Sequence, residues 1–519
     1  MPKLPTAATL RTLILAMACA LATAILPGPW SRPADAASGV FRLTVVDADS
    51  GEPIACRMHL RTAAGQVRKV PKTVFWHDHF VVPGQIELNL PLGTYLFEIE
   101  RGPEYLDQNG HFIIQRFADD SRTVELRRFV DMSEHGWWSG DLDVRRPTED
   151  VQLLMQAEDL HVAEVVTWWN RMREPVALPA GEPLVSFDGN RFYHLLAGGH
   201  ERPGGSWLYF NLPEALPPAD GKSEVPPPTV FCEQARAHQE AWIDAACPFA
   251  WDLPMLVAND QIDSVRIAGG HLAREAVVPV RGGGKPRDAR LYPGAWGDGR
   301  WGQDVYFHVL NCGLRIPPSA GSASGQSPSP VGYNRIYAQL DGELTYERWF
   351  EALRAGRVTV TNGPLLRPLV EGHPPGHVFR SQAGRPLELE IALTLSTREK
   401  ISYLEIIKNG QVEHSVRLED YSQTGRLPKV PFDGSGWFLV RAVTDVEKTY
   451  RFAMTGPYYV EFDYEPRISK RSAQFFLDWV YERARQLQLD DDAERAQVLE
   501  PHRRARDFWQ DLVDRASAE

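Results

Sequence analysis

The chain has 519 residues, of which 43% are hydrophobic and 24% charged, the balance of a folded globular protein rather than a disordered one. Its formal charge of -12 argues against nucleic acid as a partner, because binding phosphate requires clustered Lys and Arg. The length allows about three domains.

The first 37 residues carry the order of a secretory signal peptide. Lys3 and Arg11 mark a short basic region, residues 13–26 are almost unbroken apolar sequence, and Ala34-Asp35-Ala36 supplies a small-residue cleavage site. The apolar core is too short to span a bilayer comfortably, and no later stretch approaches the roughly 18 apolar residues of a span. The expectation is an exported protein, periplasmic or extracellular, with no integral membrane association after cleavage. Of the cysteines left in the mature chain, Cys56, Cys232, Cys247 and Cys312, none shows CxxC spacing. They read as buried thiols, with Cys232 and Cys247 a conceivable pair.

Residues 39–130 read as an all-β module. Apolar residues alternate from Phe41 to Val46, and residues 47–53 then supply turn chemistry. Asp47, Asp49 and Gly51 have the spacing of a calcium loop but lack its distal bidentate Glu, so a hairpin turn is expected there. The pattern looks like the transthyretin-like, carboxypeptidase-regulatory-like module. Residues 131–365 change texture: a helical rhythm over 151–160 precedes a buried strand over 163–169, the alternation of a parallel β/α architecture. Residues 366–465 return to alternating strands with a turn at Lys408–Gln411, the pattern of an immunoglobulin-like sandwich. From 466 to 519 the chain is helical, with Phe476, Val480 and Leu487 on one stripe.

Three short motifs carry the chemistry. Gly140-Asp141-Leu142-Asp143-Val144-Arg145 closes a strand, Thr167-Trp168-Trp169-Asn170 closes another, and Gly321-Ser322-Ala323-Ser324-Gly325 lies in a late loop. Residues 131–365 resemble the polymerase and histidinol phosphatase (PHP) superfamily, in particular its exported carbaryl-hydrolase-like branch, CehA/McbA. The motifs of that family read G-D-L-H-x-H, T-D-H-N and G-S-D-x-H. The resemblance implies a distorted (β/α)7 barrel, with a metal cluster at the C-terminal strand ends, flanked by the two β modules and a helical tail.

It also implies that most metal ligands are replaced. Asp143 and Arg145 stand in place of two histidines, Trp168 and Trp169 in place of the Asp-His pair, and Ala323 and Gly325 in place of the last Asp and His. A guanidinium repels a divalent ion, and an indole has no lone pair to give it. Without a metal to acidify bound water, the usual hydroxide nucleophile does not form at neutral pH.

Asp141, Asp143 and Arg145 remain as candidate catalytic residues. Asp143, Glu201 and His271 are the candidate ligands of one divalent Zn, Mn or Fe ion. Trp138, Trp168, Trp169, Asn170 and Trp301 are candidate ligand-binding residues, because flat aromatics beside polar groups suit a saccharide. Arg145, Arg146 and Arg300 suit a small anion. The expectation is therefore a PHP-like scaffold with a non-catalytic or reworked site for a saccharide or small anion. The alternative is an active hydrolase of phosphoesters, esters or carbamates with a remodelled single-metal site. A glycosidase using Asp141 and Asp143 ranks behind both, since acids at i and i+2 on one strand stand too close for inversion.

Overall fold

A computed structural model describes residues 38–170, 181–218, 223–279, 284–424 and 426–519. The expected signal peptide lies outside the described residues. The molecule is multidomain and built mostly of sheets, with a helical C-terminal tail. Among the described residues, no helix is long and apolar enough to cross a membrane.

The N-terminal region forms two sheets. Ser38–Asp47 pairs antiparallel with Gln85–Pro91 and parallel with Asp119–Leu126. The second sheet is antiparallel throughout, in the order Phe75–Trp76, His79–Pro83, Ala55–Thr62, Gly93–Glu100, Gln108–Ile114. Alternation decides what is buried: Phe41, Leu43 and Val45 enter a core with Met58, Leu60, Phe97 and Ile99. Phe41 stacks on Phe112 at 4.2 Å. The expected hairpin turn forms, with the carboxylate of Asp47 accepting from the backbone amides of Asp49 and Ser50 at 3.0 Å each.

The middle region supplies nine strands used below: β1 (Trp137–Val144), β2 (Val162–Trp169), β3 (Arg191–Arg202), β4 (Gly205–Phe210), β5 (Trp242–Ala245), β6 (Ser264–Ala268), β7 (Pro318–Ala320), β8 (Arg335–Gln339) and β9 (Val358–Thr361). Their order is β7-β6-β5-β4-β3-β2-β1-β8-β9. The triplets β7-β6-β5 and β3-β2-β1 are parallel, whereas β4, β8 and β9 pair antiparallel. The sheet curls, so that β7 comes back against β1 and β8. Just past both strands, the amide of Arg145 donates to the carbonyl of Ser324 at 2.8 Å.

The sheet does not stop where the C-terminal β region begins. β9 pairs with Phe452–Thr455, which leads on to Gly436–Thr444, Ile401–Lys408 and Gln411–Val416. The C-terminal β region keeps a core of its own around Leu366, Ile391, Ile406, Phe438 and Val460, and alternation within a strand does not reveal that its sheet continues into the middle region. The tail helices Lys470–Gln486 and Asp492–Asp514 pack on each other and return to the middle region, against Leu253–Ala258 and Gly297–Asn311. Phe476 and Val480 are buried as expected, whereas Leu487 lies beyond the last helical turn in extended backbone.

Candidate functional site

Strand β1 and the loop after β7 meet at Asp141. This buried carboxylate accepts from the backbone amides of Ser322 at 2.9 Å, Gly332 at 2.7 Å and Asp143 at 2.9 Å. Burial pushes it up to about 6, against the pull of those amides. Asp141 thus joins the first and third motifs by main-chain hydrogen bonds, which is an anchoring role.

Asp143 is held by two guanidiniums. Nε of Arg145 lies 2.6 Å from one of its oxygens, and Nη1 of Arg266 lies 2.6 Å from the other. Arg266, on β6, is 1% exposed and crosses the interior of the curled sheet to reach Asp143. Its Nη2 also lies 2.6 Å from Asp244 on β5. The hydroxyl of Ser264 donates to Asp244 at 2.6 Å, and that of Ser319 does so as well. Burial raises Asp143, but Arg145 and Arg266 outweigh it and hold the group below the usual carboxylate range. Two carboxylates and two guanidiniums therefore neutralise each other in a closed network. A divalent ion added here would leave two uncompensated positive charges in a low-dielectric interior.

The second motif serves the sheet. Thr167 Oγ1 donates to the carbonyl of Leu195 at 2.7 Å, and Trp168 Nε1 to that of Leu196 at 3.2 Å. Trp168 lies over Gly198, where a Cβ would fall 1.9 Å from its ring. Asn170 grips the end of β3, donating to the carbonyl of Glu201 at 2.9 Å and accepting from its amide at 3.0 Å. Trp169 alone of the pair stays half-buried, with the guanidinium of Arg145 stacked 4.1 Å from its ring centre.

Three expectations need correction. Trp138 sits at the start of β1, seven residues or about 23 Å of extended chain from Arg145, and lies edge-on to His161 at 4.9 Å. It belongs to the opposite end of the strand from the motif residues. Trp301 packs with Tyr292, Phe475 and Trp479 beneath the tail helix. The glycines around it suggest a loop, yet residues 297–311 are helix, because Trp301, Val305, Tyr306, Val309 and Leu310 recur with helical spacing. Trp296 and Arg300 stack together against Tyr450 and belong to the same packing.

The proposed metal trio is the third. Among the described residues, one group of three metal-capable side chains has ligand atoms within 4.8 Å of one another: His59, Asp78 and His79. Asp143, Glu201 and His271 do not form such a group. Burial pushes His271 down to about 4, with Asp298 opposing and Arg266 adding to the fall, and its ring lies edge-on to Phe249.

The cluster that does form satisfies itself. Asp78 accepts from Nδ1 of His59 and Nδ1 of His79 at 3.2 Å each, and from Arg61 at 3.0 Å. Arg57 Nε donates to His59 Nε2 at 3.2 Å, so the His59 proton must sit on Nδ1. A metal on that Nδ1 would move the proton to Nε2, directly against the N–H of Arg57. As hydrogen-bonded here, His59 has no free lone pair to give a metal. The cluster pins the turn between Phe75–Trp76 and His79–Pro83.

Two further polar side chains of the middle region are taken up by packing: Glu158 pairs with Arg57, and His200 packs on Phe231 at 4.3 Å. Cys232 and Cys247 are free thiols, as are Cys56 and Cys312. Sequence reasoning missed Arg266 and Asp244. The available signal is a charge inside an apolar strand, Val265-Arg266-Ile267 and Ile243-Asp244-Ala245, since such a charge must find a partner.

No family model matches the chain, and no curated protein matches it. Among solved structures, the Bacillus anthracis TIE protein aligns over 22% of this chain and 20% of its own, at 17% identity and TM-score 0.14. A streptococcal ancillary pilin aligns over 22% of this chain and 38% of its own, at 18% identity and TM-score 0.15. The four N-terminal immunoglobulin domains of Dscam1 isoform 4.4 align over 81% of this chain and 96% of their own, at 9% identity and TM-score 0.12. The chain thus spans about a fifth of the first and two fifths of the second. Likenesses at these TM-scores carry no argument about fold or activity.

Proposed function

We propose that this is an exported protein on a PHP-like barrel whose metal chemistry has been replaced by internal ion pairs, leaving a crevice that binds a saccharide or small anion. The signal-peptide pattern supports export. The return of β7 to β1, and the meeting of Asp141 with Ser322, support the barrel and the family register. One observation carries the loss of metal chemistry: Arg266 bridges Asp143 and Asp244 at 2.6 Å each, a permanent cation between the carboxylates a metal would need. No observation favours the remodelled single-metal hydrolase over this reading.

The test is an assay of the mature protein on phosphomonoester, carboxylic ester and carbamate substrates with Zn, Mn or Fe added. The expected outcome is no metal-dependent turnover. Turnover that appears with metal and vanishes in Asp143→Ala would restore the hydrolase reading.

A further inference from the structure

A second feature lies beside the ion-pair network, at the C-terminal end of β1. A cavity of about 400 Å³ opens between this strand end and the N-terminal β module. Its walls include Lys69, Phe75 and Trp76 from the module, and Arg145, Arg146 and Asp150 from the middle region. Arg146 is the unusual member. It is 7% exposed, its Nη1 is buried without a hydrogen-bond partner, and among the described residues it makes no ion pair. Its close contact is with the ring of Trp76, 5.1 Å from guanidinium carbon to ring centre. A buried cation that lacks an acceptor is costly, and one placed on the wall of a cavity gains most from a ligand that brings the acceptor.

The charges around the cavity agree. Arg145 has spent its Nε and Nη2 on Asp143, which leaves Lys69 and Arg146 facing Asp150. The balance favours an anion, and Phe75 and Trp76 add apolar surface for a ring to rest against. The volume falls in the range of small-molecule sites. The place is also apt, because ligands of parallel sheets gather at the C-terminal ends of the strands.

We infer that this cavity binds the charged group of an acidic saccharide, a sulfate ester or a uronic carboxylate, with Arg146 as the primary contact and Lys69 at the rim. The inference rests on the ligand-binding reading above and gives that ligand its charge and its place. The turn pinned by His59, Asp78 and His79 presents Trp76 to the same cavity, so the hydrogen-bonded cluster has a positioning part in the site.

The experiment titrates metal-free mature protein with glucuronate, with glucose 6-sulfate and with glucose, followed by tryptophan fluorescence and by melting temperature. Both acidic sugars are expected to bind saturably and to raise the melting temperature, more weakly as salt increases, whereas glucose gives no response. Arg146→Met should lose at least tenfold in affinity. Lys69→Glu, a change at an exposed side chain that leaves the fold intact, should lose severalfold. Equal binding of glucose and glucuronate, full affinity in both variants, or no response to either acidic sugar each overturns the inference. If binding fails while the protein still lacks metal-dependent turnover, the scaffold reading stands and this site alone is wrong.

Discussion

Glu164, on β2, shows what an acid without a charged partner does in this interior at neutral pH. It is fully buried, Tyr346 donates to one of its oxygens, and the other accepts no hydrogen bond and lies 3.9 Å from Nδ1 of His194, whose burial keeps it neutral there. Burial pushes it up from 4.5 to about 8, with the Tyr346 hydroxyl opposing. Because the folded state holds the proton longer than the unfolded one, stability is greatest below the unfolded value of about 4.5 and falls as pH rises toward 8. Glu164→Gln keeps the shape without the proton to lose. Urea unfolding should find it more stable than wild type by roughly 3 kcal/mol at pH 7, and equal to it at pH 4. Equal stability at both pH values would mean that Glu164 is ionised in the fold. Asp143 presents the opposite case, since two guanidiniums keep its charge. The residue scale was only partly legible from sequence. Asp143 and Arg145 stand two apart at the end of one strand, a spacing that itself suggests a pair. Arg266 lies 123 positions from its acceptor, a distance no local pattern spans.

At the scale of elements, the second motif shows how one strand shapes the next. The side chains of Thr167, Trp168 and Asn170 all bind or pack onto β3, so their identities answer to the neighbouring strand rather than to a ligand. Gly198 is the complementary position. Gly198→Ala would drive a methyl into the Trp168 ring and should cost about 1–3 kcal/mol, read by urea unfolding and by the near-ultraviolet circular dichroism of the displaced indole. An unchanged unfolding curve would mean that Trp168 does not lie where the structure has it. Strand and helix identity over 151–169 was legible because hydrophobic period is a local property. The helix over 297–311 was missed because Trp296, Gly297, Gly299 and Gly302 read as loop chemistry, while the periodic apolar residues come later in the segment.

At the scale of the whole molecule, three regions meet around a charged junction. Arg57 of the N-terminal module pairs with Glu100 and with Glu158 of the middle region. Arg274, in the middle region, pairs with Glu98 and Glu100, and its carbonyl accepts from Arg451 of the C-terminal β region at 3.0 Å. The balanced charges read as a clamp. Arg274→Ala would leave Glu98 without a guanidinium and Glu100 with Arg57 as its close cation, and should cost roughly 3 kcal/mol in urea unfolding, most of it at the contact between the module and the rest. A loss below about 0.5 kcal/mol would show that solvent screens the junction. The succession of β, mixed and β regions followed by helices was visible in composition and period. That one sheet runs from the middle region into the next was not, because strand neighbours are set by long-range pairing.

The claim that internal cations have displaced the metal is tested most directly by calorimetric titration of Zn²⁺ or Mn²⁺ into metal-stripped protein. Wild type, Asp143→Ala and His59→Ala are compared. The account predicts that no binding event in wild type depends on Asp143. One equivalent of tightly held metal, lost in Asp143→Ala and retained in His59→Ala, would contradict it.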